Sequence, residues 1–179
     1  MTPPAFAPHR SLAFWLLLAL AIVAADQATK LLVVQRFALG EWLPLTSYFS
    51  LVRAHNPGAA FSLLADAGGW QRWLLSGIAA AAAVFIVWLL RKHPTQTLFC
   101  AAITLILGGA LGNLVDRLVH GHVIDFLQFR FGFLEPLFHG GFFPSFNLAD
   151  MAITAGAASL IVDEGLRWRR ERRAQRQPR

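Results

Sequence analysis

Four apolar blocks, each long enough to cross a bilayer, constrain this chain more than any other feature. A spanning helix needs about 20 predominantly apolar residues. Such blocks cover about residues 12–34, 73–90, 97–115 and 146–162. The second and third contain no charge at all, while the first contains Asp26 and Lys30 and the fourth contains Asp150. Composition agrees. The chain of 179 residues is 56% hydrophobic and only 15% charged. Soluble domains carry about a quarter charged residues. The expectation is a membrane α-helical protein with four transmembrane helices, forming a single integral membrane domain over 1–179.

Basic residues orient it. Arg10 precedes the first block, Arg91 and Lys92 follow the second, and the tail "RWRRERRAQRQPR" follows the fourth. With four spans these fall on one side, which the positive-inside rule makes the cytoplasm. Both termini are then cytoplasmic, with outside segments over about 35–72 and 116–145. Trp70 and Trp73 mark one interface, Trp88 and Trp168 the other. The tail, 163–179, reads as a positive anchor and not as a nucleic-acid arm, although anionic lipid is a suitable partner for it. The first block also has the outline of a secretory signal peptide, ending in small residues at "VAAD". The apolar pattern resumes after Lys30 with "LLVV", so it reads as a retained span.

The outside segments are not solvated tails. "EWLPLTSYFSLVRAHNPGAAFSLL" mixes turn formers with alternating β-branched and aromatic residues, which predicts short strands and turns. "FLQFRFGFLEPLFHGGFFPSFN" is too aromatic for water and belongs at the membrane interface. Cys100, the single cysteine, excludes an internal disulfide and a zinc cluster built on thiols. No HExxH or Walker pattern occurs, so metal and nucleotide chemistry lack support and no cofactor is expected.

Ionisable residues inside apolar blocks are costly and mark functional sites by default. At ~1.5 Å of rise per residue, Asp26 lies ~22 Å from the cytoplasmic start of its helix, Asp116 ~28 Å into its own and Asp150 ~20 Å from the cytoplasmic end. The hydrocarbon core is ~30 Å thick. All three therefore sit in the outer leaflet or at its surface, and Asp125 returns to the same level after a short turn. The plainer reading is an ion-pair network that pins helices. It suits Asp26 with Lys30, at i,i+4 with the acid first, and Asp116 with the adjacent Arg117. Asp125 and Asp150 have no obvious cation nearby. Two facing carboxylates do not both ionise readily, so one holds a proton at neutral pH. Such a pair activates water and protonates a leaving amine. No Ser–His–acid set shares this depth; His55, His120, His122 and His139 all fall outside. In "NPGAAFSLL", Asn56 offers an amide and Gly58 a close backbone approach, although an ordinary turn reads equally well. Asn147 stands one turn before Asp150, within reach of a neighbouring carboxylate.

Four boxes, "DQATK" (26–30), "NPGAAFSLL" (56–64), "GGALGNLVDRLVHGHVIDF" (108–126) and "FNLADMAITAG" (146–156), together resemble bacterial lipoprotein signal peptidase, the signal peptidase II family of aspartic peptidases. The resemblance implies that Asp125 and Asp150 are catalytic and that Asp26, Lys30, Asn56, Gly58, Asn113, Asp116, Arg117 and Asn147 bind substrate or support the site. It implies a small extracytoplasmic β-cradle with an interfacial helix or loop. It also implies cleavage of prolipoprotein signal peptides just before a diacylglyceryl cysteine, in the bacterial inner membrane, and inhibition by globomycin. Prolipoprotein and membrane lipid are then the partners of a monomeric enzyme that takes no nucleic acid and no metal. Met151, where a small residue often stands, and the long Phe-rich stretch depart from the family pattern. A proton-coupled transporter also uses membrane acids, but no chain of acids crosses to the cytoplasmic half and no paired halves are visible. A structural assembly factor built on a buried polar network is the third reading.

Overall fold

The computed structural model describes residues 10–58 and 68–176. Four long helices carry a small sheet at one end. α1 spans Leu12–Arg36. β1, Trp42–Pro44, and β2, Phe49–Asn56, follow. α2 spans Trp70–Lys92 and α3 Thr97–His120. β3, Val123–Phe129, precedes two single 3-10 turns, Gly132–Leu134 and His139–Gly141, and α4 spans Leu148–Arg176.

Helix ends have local causes. The Ser11 hydroxyl accepts the Phe14 amide at 3.2 Å and so caps α1. α3 stops at Gly121, whose φ of +84° supplies the left-handed turn that L side chains resist. That turn sends the chain directly into β3. α3 is the central helix, packed on α1, α2 and α4. Half of its most apolar stretch is buried, against 17% for α1 and for α2. The outer faces of α1 and α2 present Leu17, Leu20, Ile78, Val84 and Phe85. Close approach depends on glycine. A Cβ at Gly112 would lie 2.7 Å from an Asp26 oxygen, and one at Gly109 would run into the Ala149 carbonyl. Small residues at such positions are how membrane helices pack tightly. At the end away from the sheet, Trp15, Ala19, Ile86, Leu90, Cys100, Ile103 and Leu107 form an apolar cluster.

Among the described residues three helices, α1, α2 and α3, are long and apolar enough to cross a membrane. α4 differs from the expected fourth block in two ways. It begins at Leu148, because Phe146 pairs with Leu127 beside the sheet. It also runs on through the arginine-rich segment to Arg176, where the sequence suggests a tail. Strong helix formers such as Arg, Glu and Ala explain the continuation. An i,i+4 pair, Asp163 to Arg167 at 2.8 Å, supports it, as does Arg172 stacked over Trp168. Trp70, Trp73, Trp88 and Trp168 are all exposed.

The sheet is antiparallel in the order β1-β2-β3, with a register shift between Leu51 and Ala54. It fits the small cradle that the resemblance implies. After β3 the two 3-10 turns and the segment between them leave Phe133 and Leu137 exposed.

Candidate active site

The sheet end of the bundle buries charged and amide side chains that the apolar cluster lacks. Asp26, Lys30, Asn113, Asp116, Asp125 and Asn147 are all less than a tenth exposed. Buried charges survive only when paired and hydrogen-bonded, and here the pairing accounts for each group.

Asn147 sits at the centre. Its Oδ1 accepts the Asp150 amide at 3.0 Å, and its own amide donates to Asp150 Oδ2 at 3.2 Å. This is a reciprocal cap at the start of α4, the Asn-x-x-Asp form of a capping box. Asn147 Nδ2 donates to Asp125 Oδ1 at 2.8 Å and to Asn113 Oδ1 at 3.1 Å. Asn113 Nδ2 donates to Asp150 Oδ1 at 2.7 Å. Asn56 Nδ2 donates to Asp125 Oδ2 at 3.2 Å, while Asn56 Oδ1 accepts the Gly58 amide at 3.0 Å in an Asx turn. Asp125 is thus reached from β2 and from the start of α4. Antiparallel pairing of Ala54 with Asp125 and of Asn56 with Val123 sets their register.

The two aspartates are not equivalent. Asp125 is 2% exposed, and burial pushes its carboxyl up to about 7, reinforced by the negative charge of Asp150. The Asn56 and Asn147 donors and the Lys30 charge oppose that rise without cancelling it. Asp150 is only partly buried and stands in the first turn of α4, where the helix N-terminus favours negative charge.

Beneath them lies an ion cluster. Lys30 Nζ meets Asp26 Oδ2 and Asp116 Oδ2, each at 2.8 Å, and Asn113 Oδ1 at 3.1 Å. The i,i+4 pair of Asp26 and Lys30 is as expected. The pairing of Asp116 with Arg117 is not: Asp116 faces α1 and takes Lys30, while Arg117 donates to the Gly58 carbonyl at 3.0 Å. Adjacent helical side chains point in different directions, so neighbours in sequence do not pair on a helix. Arg117 instead holds the turn after β2. Gln27 escapes the sequence reading although it stands inside "DQATK". Its Nε2 donates to Asp116 Oδ1 at 2.8 Å and to Asp26 Oδ2 at 3.2 Å. An amide beside an acid in an apolar helix is the available signal.

All ten candidates, Asp26, Lys30, Asn56, Gly58, Asn113, Asp116, Arg117, Asp125, Asn147 and Asp150, converge on this one region. Residues 59–64 of "NPGAAFSLL" lie outside the described residues. His55 and His122 stack at 3.8 Å between ring centroids beside the strand pair. Burial, and then the charge of neighbouring imidazoles, lowers both from their ordinary range. Among the described residues no group of three or more His, Cys, Asp or Glu could hold a metal ion.

Comparison with known proteins gives the family. The model of the family described as Signal peptidase (SPase) II matches residues 18–166. A lipoprotein signal peptidase of Ralstonia nicotianae is 54% identical over 156 residues, covering 87% of this chain and 86% of that one. One of Cupriavidus taiwanensis is also 54% identical, covering 87% and 85%. A solved structure described as a bacterial membrane enzyme superposes with a TM-score of 0.71 at 26% identity, over 84% of this chain and 86% of that one. With most of its length matched by the family and by close relatives, the chain belongs to the signal peptidase II family and is a membrane peptidase of lipoprotein processing.

Proposed function

We propose that Asp125 and Asp150 form an aspartic dyad that removes the signal peptide from diacylglyceryl-modified prolipoproteins, cleaving just before the lipidated cysteine. One observation carries the reading. A single side chain, Asn147, hydrogen-bonds Asp125 through its amide nitrogen and caps Asp150 through its amide oxygen. The Asp125 carboxylate is thereby tied to the start of α4, where the Asp150 carboxylate accepts from Asn113 Nδ2 and the Asn147 backbone amide, and the two stand in unequal surroundings.

The inequality assigns the roles. Asp125, pushed up to about 7, holds the shared proton near neutrality. Asp150, in the first turn of α4, acts as general base on a water between them. The water oxygen attacks the scissile carbonyl, its proton passes to Asp150, and Asp125 donates its proton to the carbonyl oxygen. Collapse of the tetrahedral diol breaks the C–N bond. Asp150 then gives its proton to the leaving amine, and Asp125 recovers one from the diol hydroxyl. Asn56, Asn113 and Asn147 aim the carboxylates, and Arg117 holds the turn at Gly58.

The membrane placement follows the same proposal. α4 is the fourth span, its residues 151–162 being free of charge. Arg10, Arg91, Lys92 and the end of α4 then mark the cytoplasmic side. The dyad lies at the other end, near the outer leaflet of the bacterial inner membrane. A signal peptide's apolar core spans the bilayer, so its cleavage point emerges at that level. An acyl-anchored cysteine keeps the scissile bond there, and no second subunit is required.

The test is cleavage of diacylglyceryl-modified precursor by the purified full chain, with unmodified precursor as control. Asp125→Asn and Asp150→Asn should each lose at least about 10³-fold in rate while remaining folded. Processing by either variant at near wild-type rate would sink the dyad. Equal cleavage of the unmodified precursor would sink the assigned substrate.

A further inference from the structure

We propose that Lys30 is a positioning residue that sets the separation and mutual aim of Asp125 and Asp150. The proposal rests on the reading of those two aspartates as the catalytic pair. Lys30 lies on α1 and acts on both carboxylates at one remove. Its influence runs through the three acceptors around its ammonium.

The first route is Asp26. One oxygen, Oδ2, takes Lys30, and the other, Oδ1, accepts the backbone amide of Ala149 at 2.9 Å. Residue 149 immediately precedes Asp150. The second route is Asp116. Its Oδ2 takes Lys30 and also accepts the backbone amide of Ile124 at 3.1 Å. Residue 124 immediately precedes Asp125. The third route is Asn113, whose Oδ1 accepts from Lys30 and whose Nδ2 donates to Asp150 Oδ1. Gln27 also ties the Asp26 and Asp116 carboxylates together.

The symmetry of the first two routes is the core of the inference. α4 and β3 are separate elements, and their two aspartates stand 25 residues apart in the chain. Each element is held by a carboxylate through the backbone amide of the residue before its aspartate, and one buried ammonium holds both carboxylates. Residues 149 and 150 are both helical in α4, and residues 124 and 125 are both paired in β3, so the dihedrals between each restrained amide and its aspartate are fixed and the restraint reaches the aspartate with little slack. Moving Lys30 therefore moves the dyad, although Lys30 never meets substrate.

Stability alone does not account for this arrangement. Lys30 is 1% exposed, and Asp26 and Asp116 are fully buried. A buried triad of this kind is often no more stable than well-packed apolar residues of the same volume. If its role were only to pin α1 to α3, a neutral set would serve. A dyad works only within a narrow range of geometry, where a misplacement of about 1 Å costs on the order of 100-fold in rate. The charge also acts on the site, since Lys30 is one of the groups drawing the Asp125 carboxyl downward.

The experiment compares wild type, Lys30→Met and the neutral triple variant Asp26→Asn/Lys30→Met/Asp116→Asn as full chains in detergent. It measures kcat, KM, the pH profile of kcat and thermal unfolding. Lys30→Met should lose about 100-fold in kcat with KM within about 3-fold, and its alkaline limb should move to higher pH because Asp125 keeps its proton longer. The triple variant, with every buried charge of the triad removed, should stay folded and show the same loss in kcat. It decides the matter should Lys30→Met fail to fold. Cleavage by a folded variant within about 3-fold of wild type overturns the proposal. So does a loss that only tracks the folded fraction with the alkaline limb unmoved. Asp125→Asn is assayed alongside. If it still cleaves, the dyad reading has failed; if it is dead while the Lys30 variants are normal, only the positioning role has.

Discussion

α3 passes through two different solvents of its own making. Toward its start it buries Cys100, Ile103 and Leu107 against Trp15, Ile86 and Leu90. Toward its end it buries Asn113 and Asp116 against Asp26, Lys30 and Asn147. The apolar end relies on van der Waals packing, which tolerates exchange among similar volumes. The sheet end relies on donors and acceptors that each have a defined partner, and a missing partner there leaves a buried polar group unsatisfied. The first end can be altered without touching chemistry. On the proposed mechanism the second cannot, because the same bonds that hold it together also aim Asp125 and Asp150.

The largest expected contrast compares one residue from each end. Asn147→Ala removes the α4 cap and the donor to Asp125, and kcat should fall by about 100-fold or more. Leu107→Ala opens a cavity in the apolar cluster, costing on the order of 2 kcal/mol of stability, and the folded enzyme should keep its kcat. Thermal unfolding and cleavage rates on the two purified variants check this together. A Leu107→Ala protein that is stable but inactive would break the division between the ends.

The smallest expected effect lies at the rim, where His55 and His122 stack with His120, Arg53 and Asp116 nearby. Both imidazoles are lowered in the folded chain, so the unfolded chain takes up protons first. Stability is then fully present above the ordinary value of about 6.5 and declines as pH falls through it toward the lowered values. His55→Phe keeps a stacked ring without the proton site. It should reduce, by about 2–4 °C, the drop in melting temperature between about pH 7.5 and 5.5. An unchanged drop would show that this stack is not a source of acid sensitivity.

The site is more legible in sequence than its wiring. Asp26, Lys30 and Asp150 stand out because charged groups within apolar blocks need a reason. Helix rise alone brings the acids to one level. The partner of Asp116 is not legible, because it depends on which face of α3 meets α1. A step of one residue turns the helix by about 100° and sends Arg117 elsewhere. Gln27 is hidden for the same reason. Apolarity sets the start of α4 too early, since it continues through Phe146 while the backbone there still pairs with β3. The extension to Arg176 reads as a tail because its density of charge masks a strong helix propensity.

The central claim is that the sheet end holds a proton on Asp125 near neutrality. Difference infrared titration of the full chain in detergent reads this directly through the carbonyl stretch of a protonated carboxylic acid. The expected result is a band that is lost with a midpoint of about 7 in the wild type and is absent from Asp125→Asn. A wild type with no such band titrating near neutrality, or a band that persists unchanged in Asp125→Asn, would contradict it.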